Sequence, residues 1–260
     1  MFSWFAGYDA PFRGLITTWI IIMFSVIALC FIVSEITRNY SQVDKLWSLL
    51  PPVYTWVTVA AFPTTRTVIM AVLVTLWGLR LSYNFNRKGG YSIIPWNGEE
   101  DYRWKILREN PALRGRLRFG IFNLLFISMY QNIIIMLFTT PVLMAALHPE
   151  TPLSVTDIVA ALLMLSFLVI ETVADNQQFR FQKMKRTGVE DPSVYGDSLR
   201  KGFLAEGLWK YARHPNFASE QSIWISFYLF GVAASGNWIN ITLAGPVLLV
   251  LLFIGSSVMT

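Results

Sequence analysis

Charge and cysteine are both scarce in this chain. Of its 260 residues only 14% are charged, and a single cysteine, Cys30, is present. A soluble domain averages about 25% charged residues, so a surface this poor in charge excludes an ordinary water-exposed fold. One cysteine excludes a disulfide framework. With two histidines besides, a bound catalytic metal is not expected. No Gly-x-Gly-x-x-Gly follows a strand-like run, so no Rossmann-type dinucleotide domain is encoded. The N-terminal MFSWFAGYDAPFRG has no basic leader, and the apolar run behind it is too long for a signal peptide. Internal repeats and low-complexity tracts are absent as well.

What is present is hydrophobic length. Apolar residues make up 54% of the chain and mean hydropathy is +0.48. Near-uncharged runs of about 20 residues read as transmembrane helices. The pattern predicts an all-α, polytopic integral membrane protein of about seven helices, forming one membrane domain over residues 1–260. The expected spans are Leu15–Ser34, Lys45–Phe62, Arg66–Tyr83, Phe119–Leu147, Val155–Asp175, Ser219–Ala234 and Trp238–Val258. Pro51-Pro52 would kink the second, and Pro141 would bend the fourth. Two polar segments, 84–118 and 176–217, separate these runs, with Gly89-Gly90 and Pro95 as breakers in the first.

The net charge of +5 would suggest nucleic acid in a soluble protein. Here its distribution sets orientation instead. Nine of 21 Lys and Arg residues lie from Arg80 to Arg118 and eight from Arg180 to Arg213, while His148–Asp157 and Ser235–Asn237 hold none. Positive-inside asymmetry makes both polar segments cytosolic loops, with the N-terminus outside and the C-terminus cytosolic. A cytosolic tail beyond Thr260 is an expectation. The expected membrane is the endoplasmic reticulum in a eukaryote or the inner membrane in a bacterium, and no nucleic-acid partner is expected.

The densest chemistry lies in Gly207–Trp224, GLWKYARHPNFASEQSIW. Pro215 suits the first turn of a helix, which places Asn216, Glu220 and Trp224 on one stripe at four-residue spacing. A carboxylate entering lipid is costly unless it meets a cavity or a partner. An interfacial belt of Trp209, Tyr211, Arg213 and His214 anchoring a helix end would show similar residues. A second cluster, Asn84, Arg87 and Lys88, offers cations for phosphates or simple positive flanking. A third combines Glu171 and Asp175, four apart, with Gln178, Arg180 and Lys183. A fourth is Asp44, Lys45, Trp47 and Tyr54 around Pro51-Pro52, one wall of an apolar substrate chamber or a surface pair. Tyr54 and Tyr83 are the candidate proton donors, because a neutral phenol can donate to a developing oxyanion.

RHPNFASE, preceded by GLWKYA and followed by an apolar helix, resembles the C-terminal signature of the steroid 5α-reductase-like superfamily. VDKLWSLLPPVYTW, GLRLSYNFNRKGGY, EEDYRW and ETVADNQQFRFQ extend the resemblance over most of the chain, in matching order, and towards an uncharacterised membrane-protein branch. Ser219 and Phe217 stand where the reductases usually have Gly and Tyr. The resemblance implies an NADPH-dependent membrane oxidoreductase that reduces a carbon–carbon double bond of a lipid or steroid-like substrate. It implies cofactor contacts from Asn84, Arg87, Asp175, Arg180, Lys183, Trp209, Tyr211, Arg213, His214, Asn216 and Glu220. Asp44, Trp47, Glu171 and Trp224 would face substrate. The isoprenylcysteine carboxyl methyltransferases share a related RHP signature and use S-adenosylmethionine, which is the alternative; a non-catalytic protein on the same fold is a third.

Overall fold

The computed structural model describes residues 7–94, 96–188 and 192–259. Pro95, Thr260, residues 189–191 and the first six residues lie outside them. Among the described residues there is no strand. The helices are α1 (Ala10–Thr37), α2 (Gln42–Leu46), α3 (Leu50–Ala61), α4 (Thr65–Asn86), α5 (Tyr102–Glu109) and α6 (Arg116–Phe122). A π-helical stretch, Asn123–Tyr130, joins α6 to α7 (Gln131–Thr139). Then come α8 (Pro141–Leu147), α9 (Val155–Thr187), α10 (Pro192–Lys201), α11 (Pro215–Ser235) and α12 (Ala244–Met259).

Local chemistry sets the ends. Asp9 accepts from the Phe12 amide at 3.0 Å to start α1, and Pro11 occupies its first turn. Reciprocal capping boxes start α4 (Thr64 with Thr67) and α9 (Ser154 with Asp157). Gly188 and Gly236 end α9 and α11 in the left-handed conformation.

Helical periodicity then chooses the buried faces. In α1 the enclosed side chains are Leu15, Trp19, Met23, Ile27, Cys30 and Ser34, one stripe at steps of three and four. The opposite face exposes Ile21, Phe24, Leu29 and Ile32. Among the described residues, four helices are long and apolar enough to cross a membrane: Ala10–Thr37, Thr65–Asn86, Arg116–Thr139 and Val155–Thr187. Exposed apolar faces on such helices mark a membrane protein. α11 is 21 residues long but lies inside the bundle, packed mainly along α9 and α8.

The expected spans change in four places, one of them the seventh, where Trp238–Val258 gives way to a 3₁₀ turn, Ile241–Leu243, and the 16-residue α12. Pro51 and Pro52 do not kink a long second span; they open α3, where absent amide donors cost nothing. At 12 residues, α3 is about 18 Å long, short of a roughly 30 Å hydrocarbon core. The fourth expected span divides at Thr140, where Pro141 starts α8. The second polar segment is partly helix, because α9 runs on to Thr187.

α4 and α9 run in the same direction. Arg66 at the start of α4 bonds Asp157 at the start of α9. Asn84 at the end of α4 bonds Asp175 in the later half of α9. Asn39, just after α1, bonds the Gly98 carbonyl, and Arg87 reaches Asn176. Both polar segments therefore meet the same end of the bundle, called the basic end below.

Candidate active site at the basic end

Three helices each bring one polar stripe to this end. α4 contributes Trp77, Arg80, Asn84 and Arg87, spaced three or four apart. α9 contributes Glu171 and Asp175, and α11 contributes Asn216, Glu220 and Trp224. α4 also lies unusually close to the start of α3. A Cβ at Gly78 would sit 2.5 Å from the Ser48 carbonyl oxygen and 2.9 Å from Pro52 Cγ. Only glycine lets the two backbones approach this closely, two residues before Arg80.

Arg80 is the hub. Its Nη1 donates to Asp175 Oδ2 at 2.6 Å, and its Nη2 lies 2.8 Å from Glu171 Oε1 and 3.6 Å from Glu220 Oε2. Asn84 Nδ2 donates to Asp175 Oδ2 at 2.8 Å, and Asn216 Nδ2 to Oδ1 at 3.3 Å. Glu220 accepts two indole N–H bonds at 2.9 Å each, from Trp77 and from Trp224. Those indoles meet edge to face, with centroids 4.8 Å apart. Arg87 donates to Asn84 Oδ1 at 2.9 and 2.7 Å and to Asn176 Oδ1 at 2.6 Å. Its guanidinium also stacks 4.4 Å over Phe179.

Three buried carboxyl groups surround the largely enclosed Arg80 guanidinium, and the Lys88 ammonium lies within electrostatic reach of Asp175 and Glu171. Such groups are retained inside only when paired or hydrogen-bonded. Several buried atoms here have no hydrogen-bond partner: the acceptors Glu171 Oε2, Gln178 Oε1 and Asn216 Oδ1, the ring nitrogen His214 Nε2, and the donors Arg80 Nε and Nη2.

The 3₁₀ turn Gly207–Lys210 covers one side. The Leu208 amide donates to Gln177 Oε1 at 3.0 Å, and Trp209 Nε1 donates to the Ala174 carbonyl at 3.1 Å. His214 stacks on Phe217 with centroids 5.1 Å apart. Burial and the neighbouring Arg213 cation hold its imidazole below the usual histidine range.

The structure brings together Asn84, Arg87, Glu171, Asp175, Asn216, Glu220 and Trp224, with Trp209 and His214 at their edge. Trp47 connects indirectly: it stacks on Phe138 at 5.7 Å, and Phe138 lies 4.1 Å from Trp224. Arg180, Lys183, Tyr211 and Arg213 are exposed rather than inside the cluster, Tyr211 at 84%. Tyr83 points outward at 66% exposure, with the Arg87 guanidinium 5.5 Å from its ring. Asp44 accepts from Trp104 Nε1 at 3.0 Å and so ties α2 to α5, away from Arg80. Tyr54 is fully buried against Trp19, with centroids 4.5 Å apart, and neither its hydroxyl nor the Trp19 indole N–H has a partner.

Arg80, Trp77, Asn176 and Gln177 are additions to the residues picked from sequence. The signal for Arg80 and Trp77 was their four- and seven-residue spacing from Asn84. Arg80 reads as one more flanking cation until that stripe is drawn.

An all-α membrane bundle with a buried ion cluster at its basic end is the class that these features define. The chain belongs to the DUF1295 family, described as a protein of unknown function, whose pattern matches residues 30–260. It is 36% identical over 240 residues to the uncharacterized protein C594.04c of Schizosaccharomyces pombe, a match covering 88% of this chain and 68% of that protein. No solved structure matches.

Proposed function

We propose that this protein is a membrane-embedded reductase that uses NADPH to reduce a carbon–carbon double bond in a lipid or sterol-like substrate. The observation that carries the reading is the buried polar cluster on α4, α9 and α11, with unpartnered acceptors at Glu171 and Asn216 and a rim of cations. Positive-inside asymmetry gives this end to the cytosol, where a soluble dinucleotide is available.

The residues fit that group. Asn216 Oδ1 and Glu171 Oε2, buried without donors, suit the amide N–H groups of a carboxamide. The exposed cations Arg180, Lys183 and Arg213 suit phosphates, where guanidinium binds in bidentate fashion. A bound reduced nicotinamide supplies hydride. The excess of carboxylates around Arg80 favours positive charge developing beside it, a preorganised electrostatic effect. Glu220 is held by its two indoles and keeps the Trp77–Trp224 wall in place. Tyr54, with a buried and unoccupied hydroxyl, is the candidate to polarise a substrate carbonyl.

The same acidic excess also favours a sulfonium, which supports S-adenosylmethionine-dependent methyl transfer as the second reading. Titration of both cofactors into one detergent-solubilised sample separates them. Ten tryptophans, among them Trp77, Trp209 and Trp224 at the cluster, report nicotinamide binding by quenching. NADPH quenching that is weakened by Asn216→Ala is the expected result. Folded protein that binds S-adenosylmethionine and ignores NADPH overturns the reductase reading.

A further inference from the structure

A second feature of the basic end lies away from the ion cluster, between α1 and α6. A groove of about 420 Å³ is lined by Phe31, Leu117, Ile121 and Leu124, with Glu35 and Arg116 at its polar margin. A smaller cavity of about 260 Å³ lies beyond that margin, lined by Arg38, Tyr40, Arg108, Arg116 and Phe119. Arg116 borders both. An apolar groove and an open depression lined by three arginines therefore adjoin at Arg116.

The charges there are graded. Arg38 donates to Glu35 at 3.1 Å and to the Tyr40 hydroxyl at 3.2 Å. Arg108 bonds Glu100 and the Arg38 carbonyl. Glu35 is also bonded by Asn123 Nδ2 at 3.0 Å. Both carboxylates are thus engaged, whereas exposed Arg116 has no bonding partner among the described residues. Arg114 and Arg118 flank it, exposed. The three lining arginines, Arg38, Arg108 and Arg116, against Glu35 and Glu100 leave a net positive rim. The groove walls belong to α1 and to Arg116–Thr139, two of the helices long enough to cross a membrane, so the trough faces acyl chains.

We infer that this is a binding site for an anionic phospholipid, with the phosphate of its headgroup at Arg116, Arg38 and Arg108 and one acyl chain in the groove between α1 and α6. Charge and shape select the ligand together. A basic pocket between helices at the cytosolic face attracts net-negative headgroups, and guanidinium pairs bind phosphate oxygens in parallel. A zwitterionic headgroup offers the same phosphate but brings a cation into an already positive rim. The site does not depend on the reductase reading, because it shares no residue with the Arg80 cluster.

The test is native mass spectrometry of the delipidated protein in detergent, titrated with phosphatidylglycerol or phosphatidylcholine of matched chains. One tightly retained phosphatidylglycerol and about tenfold weaker phosphatidylcholine retention are expected. Arg116→Gln should lower phosphatidylglycerol retention about tenfold. Gly120→Leu should do the same without changing charge, since a Cβ at Gly120 meets only Glu35 Oε1, at 3.9 Å, and a longer side chain extends into the open groove. Should Arg116→Gln not fold, Arg38→Gln and Gly120→Leu carry the test. Equal retention of the two lipids, wild-type retention by the folded variants, or displacement by inorganic phosphate at equal concentration overturns the proposal. NADPH quenching by Gly120→Leu is expected to match wild type, which keeps this outcome separate from that of the reductase test.

Discussion

Trp77 donates its indole N–H to Glu220 at 2.9 Å across 143 positions of chain, and this bond fastens α4 to α11 inside the bundle. Trp224 uses the other oxygen of the same carboxylate. Glu220→Ala leaves two buried donors unpaired, at about 1–3 kcal/mol each, so a loss of roughly 2–6 kcal/mol is expected. Glu220→Gln presents one acceptor oxygen and one donor nitrogen to two donors, so it should fall between wild type and alanine. Thermal unfolding in detergent ranks the three proteins; equal midpoints would show that the indoles find other acceptors.

Removing the hub should do more. Arg80→Met strips the cation from Glu171, Asp175 and Glu220 while keeping much of the side-chain volume. Breaking a buried pair from one side costs about 3–5 kcal/mol. Pairing it with Asp175→Asn removes one orphaned charge, so the double variant should recover part of the loss. Strictly additive unfolding energies would argue that the two groups are not coupled.

The contrast between Arg80 and Glu220 explains how far the sequence could be read. Helical stripes are local, so Asn216, Glu220 and Trp224 on α11, and Glu171 and Asp175 on α9, followed from spacing alone. Which stripes meet is a tertiary fact, and of the two indole bonds to Glu220 the one from Trp77 comes from a helix far away in the chain. The membrane class was legible because apolar length is compositional. Pro51-Pro52 was misread as a kink because proline signals a helix start and a helix break with the same residue, and only the neighbouring chain distinguishes them. Tyr83 and Tyr54 looked equivalent as phenols, yet the face of the helix they share with their neighbours leaves one exposed and the other enclosed.

Asp44 offers a pH-dependent test outside the expected transmembrane helices. Burial raises its carboxyl above the ordinary aspartate range, opposed in part by the Trp104 indole bond and the Arg103 charge. A raised folded-state value means that the folded protein binds the proton more tightly than the unfolded chain. Asp44 therefore favours folding at low pH, and that contribution is lost as pH rises through the folded value. Asp44→Asn keeps an acceptor for Trp104 and removes the buried charge. It should stabilise the protein at neutral pH and lose that advantage near pH 4. Unfolding midpoints across that range check the sign, and a pH-independent difference would contradict it.

The opposite end has its own buried pair. Arg66 Nε donates to Asp157 Oδ1 at 2.7 Å and Nη2 to Oδ2 at 2.9 Å, with both side chains 3% exposed. Arg66 also donates to the Thr151 and Pro152 carbonyls. Arg66→Ala should therefore cost about 3–5 kcal/mol and loosen residues 148–154. Asp157→Asn also weakens the α9 capping box. Hydrogen exchange localised to that connector, with the Arg80 cluster unchanged, is the expected pattern. Uniform exchange would mean that the pair supports the whole bundle.

Tyr54 separates structure from function most directly. Its hydroxyl and the neighbouring Trp19 indole N–H are both buried without partners, and an unsatisfied polar group in the interior is a cost to folding. Tyr54→Phe removes one of them with almost no change of shape. The folded state should be unharmed or somewhat more stable, since no bond is lost. On the reductase reading the same change removes the group that polarises the substrate carbonyl, and general-acid contributions of this kind amount to about 10²–10⁴-fold in rate. The expected signature is a raised or equal unfolding midpoint, intact NADPH quenching and turnover reduced at least about 100-fold. Full turnover in Tyr54→Phe would remove Tyr54 from the mechanism, and a large loss of stability would show that its hydroxyl has a structural partner.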